Sequence, residues 1–296
     1  MRAMIKQIGF AILATLISAT SAQANTIVIG GKNFTEQQLL TEITAQYLSH
    51  LGYGVERRAG MGSAVVRKAL ENSQIDMYWE YTGTALINYL KVKETITSPK
   101  EVYEAVRDLD AKNGLIWLPP SQANNTYAFA MRRSDAEQKG IVTLSDLKKA
   151  LNDGQELTLA TNAEWYARKD GLKALQKAYG FKFERSSIKR MDTGLTYVAL
   201  KNEKVDIALV FATDGRIPAF DFKVLEDDKG FFPSYAITAV VRQETLDANP
   251  QLAEQLDALS ATLDNQALSA LNAQVDVERA SIEQVSTDFL KSKGLL

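Results

Sequence analysis

Short apolar stretches alternate along most of the chain with segments whose apolar residues recur every three or four positions, and this alternation constrains the fold most. Residues 26–31 (Thr-Ile-Val-Ile-Gly-Gly) are typical of a buried strand, and Leu40, Ile43 and Tyr47 then mark one buried helical face. Thr35, with a glutamine three residues later, fits a capping box and predicts a helix that starts near Thr35. Repeated strand and helix units of this kind predict an α/β fold.

Two turn-rich segments divide the sequence. Residues 119–125 precede one apolar, strand-like run, and residues 231–235 precede another. A chain that leaves one lobe, builds a second and returns makes a two-lobed clamshell joined by a two-stranded hinge. We therefore predict lobe 1 from residues 25–127 together with 235–296, and lobe 2 from residues 128–234. No internal repeat is recognised in the sequence.

Residues 1–24 predict a secretory signal peptide that is not part of the fold. Arg2 and Lys6 precede an apolar run at residues 8–17, and residues 22–24 (Ala-Gln-Ala) form a small-residue cleavage pattern. The mature protein is therefore expected to begin near Asn25 and to reside in the periplasm. Removal of the signal leaves 32 basic and 36 acidic residues, and the resulting net charge of −4 argues against nucleic acid as a partner.

Residue types that many enzymes need are scarce in this chain. It has no cysteine and a single histidine, His50. Histidine-centred triads, thiol nucleophiles and most zinc sites are therefore excluded, and we expect no metal, no cofactor and no catalytic activity. Asp76 and Glu80 leave one enzymatic alternative open, which is an exported hydrolase that works with two carboxylates.

Residues 75–84 (Ile-Asp-Met-Tyr-Trp-Glu-Tyr-Thr-Gly-Thr) combine three aromatic rings, two carboxylates and a turn. This pattern predicts a buried strand that ends in an exposed loop. Loops that follow the strands of an open α/β sheet meet at one sheet edge, so residues 32–34 should converge with residues 81–84. Aromatic faces can hold a cation that has no hydrogen-bond donor, although such rings also pack the edges of cores.

Four motifs carry a family resemblance: residues 31–37 (Gly-Lys-Asn-Phe-Thr-Glu-Gln), 75–84, 124–127 (Asn-Asn-Thr-Tyr) and 206–215 (Asp-Ile-Ala-Leu-Val-Phe-Ala-Thr-Asp-Gly). In this order and spacing, they resemble the substrate-binding proteins of quaternary-ammonium ABC importers, which handle osmoprotectants such as glycine betaine, choline and carnitine. The resemblance covers essentially the whole mature chain. It implies a type II periplasmic-binding-protein fold, an aromatic cage for a trimethylammonium head, and a membrane permease with its ATPase as partners. We expect the receptor to be a monomer.

The resemblance also implies site residues, position by position. The aromatic cage would comprise Tyr81, Tyr127, Phe211 and Tyr235. A clamp for the carboxylate of a betaine would comprise Lys32, Thr84 and Arg168. Asn125 would line the cage, and Asn33 would contribute from the loop that carries Lys32. Two departures from the family pattern are Phe211, where tyrosine is frequent, and Trp79, where proline is expected.

Energetic reasoning favours glycine betaine over choline. Four cation–π contacts of about 0.5–2 kcal/mol each give on the order of 2–8 kcal/mol, whereas micromolar affinity needs about 8 kcal/mol. Charged hydrogen bonds to a ligand carboxylate, at about 1.5–3 kcal/mol each, would supply the difference, and Lys32 and Arg168 would be left unpaired around choline. Choline, carnitine, another compatible solute and a sensing role stay open as alternatives. Contacts from both lobes should favour a closed form.

Overall fold

A computed structural model describes residues 26–94, 96 and 98–296, so the predicted signal peptide at residues 1–24 lies outside the described residues. The described chain alternates strands and helices, as the sequence pattern predicts. The strands are β1 (Ile27–Lys32), β2 (Val55–Met61), β3 (Met77–Tyr81), β4 (Leu115–Trp117), β5 (Tyr127–Arg132), β6 (Leu159–Asn162), β7 (Ile188–Met191), β8 (Ile207–Phe211), β9 (Phe222–Val224) and β10 (Ile237–Arg242).

The helices pack on both sheets and form the C-terminal part of the chain. They are α1 (Thr35–His50), α2 (Ser63–Glu71), α3 (Thr82–Thr84), α4 (Pro99–Ala111), α5 (Arg133–Lys139), α6 (Leu144–Asn152), α7 (Ala163–Ala167), α8 (Leu172–Tyr179), α9 (Thr193–Lys201), α10 (Arg216–Ala219), α11 (Gln243–Ala248), α12 (Leu252–Ser260), α13 (Asn265–Asp276) and α14 (Ile282–Ser292). A π-helical turn (Ala85–Tyr89) and a 3-10 turn (Arg185–Ser187) complete the elements. Within the described residues, none of these helices has the length and apolar character needed to span a bilayer.

The strands form two five-stranded sheets, in the orders β2-β1-β3-β10-β4 and β7-β6-β8-β5-β9. In each sheet the first three strands are parallel, and the fourth strand is antiparallel to both of its neighbours. The chain crosses between the sheets twice, after β4 and after β9. The two crossing segments pair through an antiparallel bridge between Asn124 and Ala236. The α/β class and the clamshell architecture are therefore confirmed.

The two sheets repeat one design in the structure, although no repeat is recognised in the sequence. Positions on the third strands, β3 and β8, correspond at an offset of 130 residues, as do the nearby Asp76 and Asp206. Asp76 accepts a hydrogen bond of 2.8 Å from the backbone N–H of Val28, and Asp206 accepts one of 2.8 Å from that of Thr158. Each aspartate thereby joins the start of one parallel strand to its neighbour. The repeat is hard to recognise in the sequence because most other side chains differ between the halves.

Two local details near the first sheet differ from the prediction. Helix α1 begins at Thr35 as expected, but the capping box is wrong, because Phe34 is the N-cap and provides no side-chain cap. The hydroxyl of Thr35 instead donates to Asp276 at 2.8 Å, which ties α1 to the end of α13. Strand β3 extends through Tyr81 and is buried throughout, so this ring stands at a strand end and not in an exposed loop.

Candidate functional site

Seven of the nine predicted site residues line one pocket between the two sheets. The pocket lies at the carboxyl ends of β1, β3 and β8, where ligands bind in open α/β sheets, and beside both crossing segments. Phe34 and Ser63, which the sequence analysis did not select, complete its wall. We call this cavity of about 20 Å³ the aromatic pocket; its predicted lining residues are Lys32, Tyr81, Thr84, Asn125, Tyr127, Phe211 and Tyr235.

The rings of the aromatic pocket contact one another. The ring centroid of Tyr127 lies 5.1 Å from that of Phe211 and 5.3 Å from that of Tyr235. Phe34 stacks on Phe211 at 5.4 Å and on Tyr81 at 6.1 Å. A cavity of this size holds about one water molecule. Its wall comes from both lobes, because Phe34 follows the first sheet and Phe211 ends a strand of the second.

The loop after β1 presents two neighbouring side chains differently. Asn33 is exposed and lines a wider cleft of about 950 Å³ between the lobes, outside the aromatic pocket. Phe34 lines both cavities and stacks on rings from both lobes. Sequence reasoning named this loop but selected Asn33 and missed Phe34. A usable signal was present, since an aromatic residue directly after a buried strand is expected at the binding edge.

Lys32, predicted as part of a carboxylate clamp, is paired within the protein. Its Nζ lies 2.5 Å from Oε1 of Glu80, and the two side chains are 2% and 0% exposed. Glu80 also accepts hydrogen bonds from the hydroxyl of Tyr78 at 2.8 Å and from the backbone N–H of Tyr81 at 2.7 Å. The Nζ of Lys32 further lies 4.8 Å from the ring centroid of Tyr81. A buried ion pair therefore sets the position of this ring.

Arg168 lies beside the aromatic pocket and not in its wall. Its Nε and Nη2 donate to the two carboxylate oxygens of Asp170 at 2.9 and 2.5 Å. Its Nη1 donates to the hydroxyl of Tyr127 at 3.3 Å, and the guanidinium lies 5.2 Å from the centroid of that ring. Asp170 also accepts a 3.4 Å hydrogen bond from Tyr235. The Arg168–Asp170 pair thus orients two of the predicted cage rings.

The tyrosines of the pocket remain hydrogen-bond donors at neutral pH. Burial raises the pKa of Tyr81, Tyr127 and Tyr235 above the ordinary phenol value. Each hydroxyl lies within hydrogen-bond distance of another side chain, as described for Tyr127 and Tyr235. A protonated phenol keeps an uncharged ring, whose face attracts cations.

Glu36 is a second residue that sequence reasoning missed. It is 3% exposed, and within the described chain it forms no ion pair with a basic side chain. Its Oε1 accepts hydrogen bonds from the hydroxyl of Tyr81 at 2.8 Å and from Nδ2 of Asn125 at 2.7 Å. Its Oε2 accepts from Thr213 and, at 3.3 Å, from Nδ2 of Asn272. Burial raises the pKa of Glu36, and these four donors oppose the rise.

The carboxylates of the hydrolase alternative do not face one another as a catalytic pair. Asp76 and Glu80 are four residues apart on an extended segment, with their Cα atoms about 13 Å apart, and each carboxylate has its own structural partner. Asp76 holds the backbone of Val28, and Glu80 is paired with Lys32. Across residues 26–94, 96 and 98–296, acidic and histidine side chains form no cluster of three that could hold a metal ion.

Comparison with known proteins agrees with the fold. Residues 25–292 match the family model described as the substrate-binding domain of ABC-type glycine betaine transport systems, OpuAC. The glycine-betaine-binding protein of Pseudomonas aeruginosa is 43% identical over 289 residues, which is 96% of this chain and 93% of that protein. The glycine betaine-binding protein YehZ of Escherichia coli is 34% identical over 294 residues, which is 97% of this chain and 96% of that protein.

Solved structures give the same result. The crystal structure of a glycine betaine/carnitine/choline ABC transporter component has a TM-score of 0.76 and 31% identity, and it covers 91% of this chain and 99% of that chain. Apo YehZ from Escherichia coli has a TM-score of 0.69 and 35% identity, with 92% and 100% of the two chains covered. The resemblance inferred from the four motifs is therefore confirmed. The chain belongs to the OpuAC family, whose members are the substrate-binding receptors of ABC importers and not enzymes.

Proposed function

We propose that this receptor captures a quaternary ammonium compound in the aromatic pocket, with glycine betaine as the first candidate. One observation carries the proposal: rings from both lobes and from both crossing segments converge on one cavity. These rings are Phe34, Tyr81, Tyr127, Phe211 and Tyr235. The names of the relatives from Pseudomonas aeruginosa and Escherichia coli support glycine betaine in particular.

The chemistry of the ligand explains why rings are used. A trimethylammonium group is permanently charged and has no N–H, so a buried carboxylate in direct contact could not form the directional hydrogen bonds that offset its own desolvation. Aromatic faces attract the cation at a small desolvation cost, with about 0.5–2 kcal/mol per contact. Phe34 adds a fifth face to the four that the sequence predicted.

The far end of the ligand distinguishes betaine from choline less sharply than the sequence suggested. Lys32 is paired with Glu80, and Arg168 is paired with Asp170. Neither cation is therefore left without a counter-charge when the ligand lacks a carboxylate. Within the described residues, the ammonium of Lys32 has one hydrogen-bond acceptor, which leaves two N–H groups for a betaine carboxylate. Choline is therefore the second candidate, and Thr84 is a further polar group in the pocket wall.

Delivery follows from closure. We propose that residues 25–127 with 235–296 and residues 128–234 act as the two lobes, and that a ligand held by both favours the closed form. The permease and its ATPase would then recognise the closed receptor. The receptor would act in the periplasm as a monomer. Ser63 of α2 and Glu164 of α7 already meet across the cleft at 3.1 Å, and such contacts exist only when the lobes are close.

Thermal shift and calorimetry test the proposal directly. The purified mature protein should gain melting temperature with glycine betaine, choline or carnitine, and not with proline or ectoine. Arg168→Ala loosens Tyr127 and Tyr235 and should weaken betaine and choline alike; a loss confined to betaine would instead make Arg168 a carboxylate clamp. Absence of stabilisation and of measurable heat with all three quaternary ammonium compounds would overturn the proposed function.

A further inference from the structure

One buried carboxylate beside the aromatic pocket has no basic partner in the described part of the chain. Lys32 is paired with Glu80, and Arg168 is paired with Asp170 at 2.5 Å and with the exposed Glu164 at 3.8 Å. Glu36 has four hydrogen-bond donors and, in the described part of the chain, no ion pair with a basic side chain. An ionised Glu36 therefore adds an unpaired negative charge beside the aromatic pocket.

The donor set of Glu36 suits the ionised form. Both carboxylate oxygens accept two hydrogen bonds, and two of the four donors are amide N–H groups, from Asn125 and Asn272, that cannot accept in return. A protonated carboxyl would have to turn one of the two hydroxyl partners, Tyr81 or Thr213, from a donor into an acceptor. The four donors come from β3, α13, the first crossing segment and the turn after β8, so they hold the carboxylate at a fixed position.

Glu36 does not line the aromatic pocket, but it is hydrogen-bonded to two side chains that do. The two groups that donate to its Oε1 belong to Tyr81 and Asn125, and both residues line the pocket. A phenol that donates to a carboxylate is polarised, so its ring becomes a better partner for a cation. Glu36 lies at the wall of the wider cleft but is only 3% exposed, so its charge is screened less than that of a surface carboxylate. The carboxylate of Glu36 keeps its four hydrogen bonds, and these offset the cost of its desolvation without any contact from the cation.

We propose that Glu36 is the fixed counter-charge for the ligand's cation and makes the receptor select ligands with a quaternary ammonium head over ligands of the same shape with an uncharged head. This inference rests on the proposed function, because it assumes that an ammonium head occupies the aromatic pocket. It assigns Glu36 a specificity-determining role that acts through Tyr81 and Asn125, without direct contact with the ligand.

The test compares two ligands that differ in one atom type. Glycine betaine and 3,3-dimethylbutanoate share their shape and carboxylate, but the second has a tert-butyl group in place of trimethylammonium. Calorimetry on the wild type and on Glu36→Gln gives the ratio of the two Kd values for each protein. The variant should weaken betaine binding about tenfold or more and change 3,3-dimethylbutanoate binding less than about threefold. Glu42→Gln, on the same helix and paired with Arg57 at the surface, removes an equal charge and should leave both affinities unchanged.

Each outcome decides the question. Equal losses for both ligands, or unchanged betaine binding, would make Glu36 a structural residue and overturn the inference. A wild type that binds no quaternary ammonium compound would overturn the proposed function instead. Should Glu36→Gln fail to fold, Tyr81→Phe removes the hydroxyl that joins the ring to Glu36 and keeps the ring. That variant should weaken betaine selectively, and an equal loss for 3,3-dimethylbutanoate would refute the counter-charge.

Discussion

Phe211→Leu isolates the contribution of one aromatic face to ligand binding. Phe211 ends β8 and is half-buried; its ring stacks on that of Phe34 at 5.4 Å and is tilted by 45° against that of Tyr127 at 5.1 Å. Its side chain makes no hydrogen bond, so leucine preserves most of the apolar bulk and removes only the π face. Any selective loss of cation affinity in this variant therefore reports the ring's quadrupole.

The expected magnitudes separate binding from stability. One cation–π contact is worth about 0.5–2 kcal/mol, so the Kd for glycine betaine should rise about 2- to 30-fold. A hydrophobic swap of nearly conserved volume costs less than about 1.5 kcal/mol of unfolding free energy. For a chain of this size, that cost corresponds to a melting temperature lowered by a few degrees.

The assay is titration calorimetry with glycine betaine and with 3,3-dimethylbutanoate, alongside thermal unfolding. Phe183→Leu is the matched control, because Phe183 is 2% exposed and packs on Phe129 and Phe181 within lobe 2, away from the pocket. This control should lose stability without losing affinity. Unchanged betaine binding by Phe211→Leu, or an equal loss for 3,3-dimethylbutanoate, would refute the assignment of this ring to the cage.

Three further results are expected. In Gly83→Ala, the added Cβ would lie 2.7 Å from the carbonyl oxygen of Ser234 and 3.0 Å from the Tyr235 ring. The free energy of unfolding should therefore fall by about 1–3 kcal/mol, and the affinity for betaine should fall with it. The control Gly62→Ala, whose Cβ would have no heavy atom within 4 Å, should match the wild type in both measurements. Small-angle scattering should give a smaller radius of gyration with betaine than without it; an unchanged radius would contradict closure. Burial raises the pKa of Glu36 above its ordinary value of 4.5. Between the unfolded-state pKa and the raised folded-state pKa, the folded protein therefore binds more protons than the unfolded protein. Across that range, the stability of the wild type relative to Glu36→Gln should fall as the pH rises. Parallel denaturation midpoints from about pH 5 to 8 would exclude that coupling.

Local patterns were sufficient for the architecture. Strand and helix periodicity, with turn-rich segments before residues 126 and 236, predicted two lobes and two crossings. The aromatic residues of the pocket wall came from the family resemblance of the four motifs, which implied Tyr81, Tyr127, Phe211 and Tyr235; topology predicted only that the loops carrying residues 32–34 and 81–84 meet. The capping box failed because the hydroxyl of Thr35 has a distant acceptor, Asp276, which no local rule includes.

Charge pairing was not predictable from the sequence. Lys32 and Glu80 are 48 residues apart, and their contact depends on the register of neighbouring strands. Glu36 looks like an ordinary acidic residue in the first turn of a helix, where it would favour the dipole. Its role depends on Asn125, Thr213 and Asn272, which reach it from distant segments. Ion pairs and buried carboxylates are set by tertiary contacts, so sequence reasoning placed the rings better than the charges.

The internal repeat explains why one ligand can contact both lobes. The 130-residue offset that relates Asp76 to Asp206 also relates Tyr81 to Phe211, and both rings end the third strand of their sheets. Tyr81 pairs with Ile237 and Phe211 pairs with Tyr127 at the same register of the antiparallel neighbour. Equivalent strand ends of the two lobes thus line the same pocket. Lobe 2 contributes the apolar ring of Phe211, whereas lobe 1 contributes the phenol of Tyr81, which is hydrogen-bonded to Glu36. If Glu36 acts through the phenol of Tyr81, the two lobes contribute differently to binding. Lobe 1 recognises the positive charge of the ligand, and Phe211 of lobe 2 packs against the ligand's cationic head.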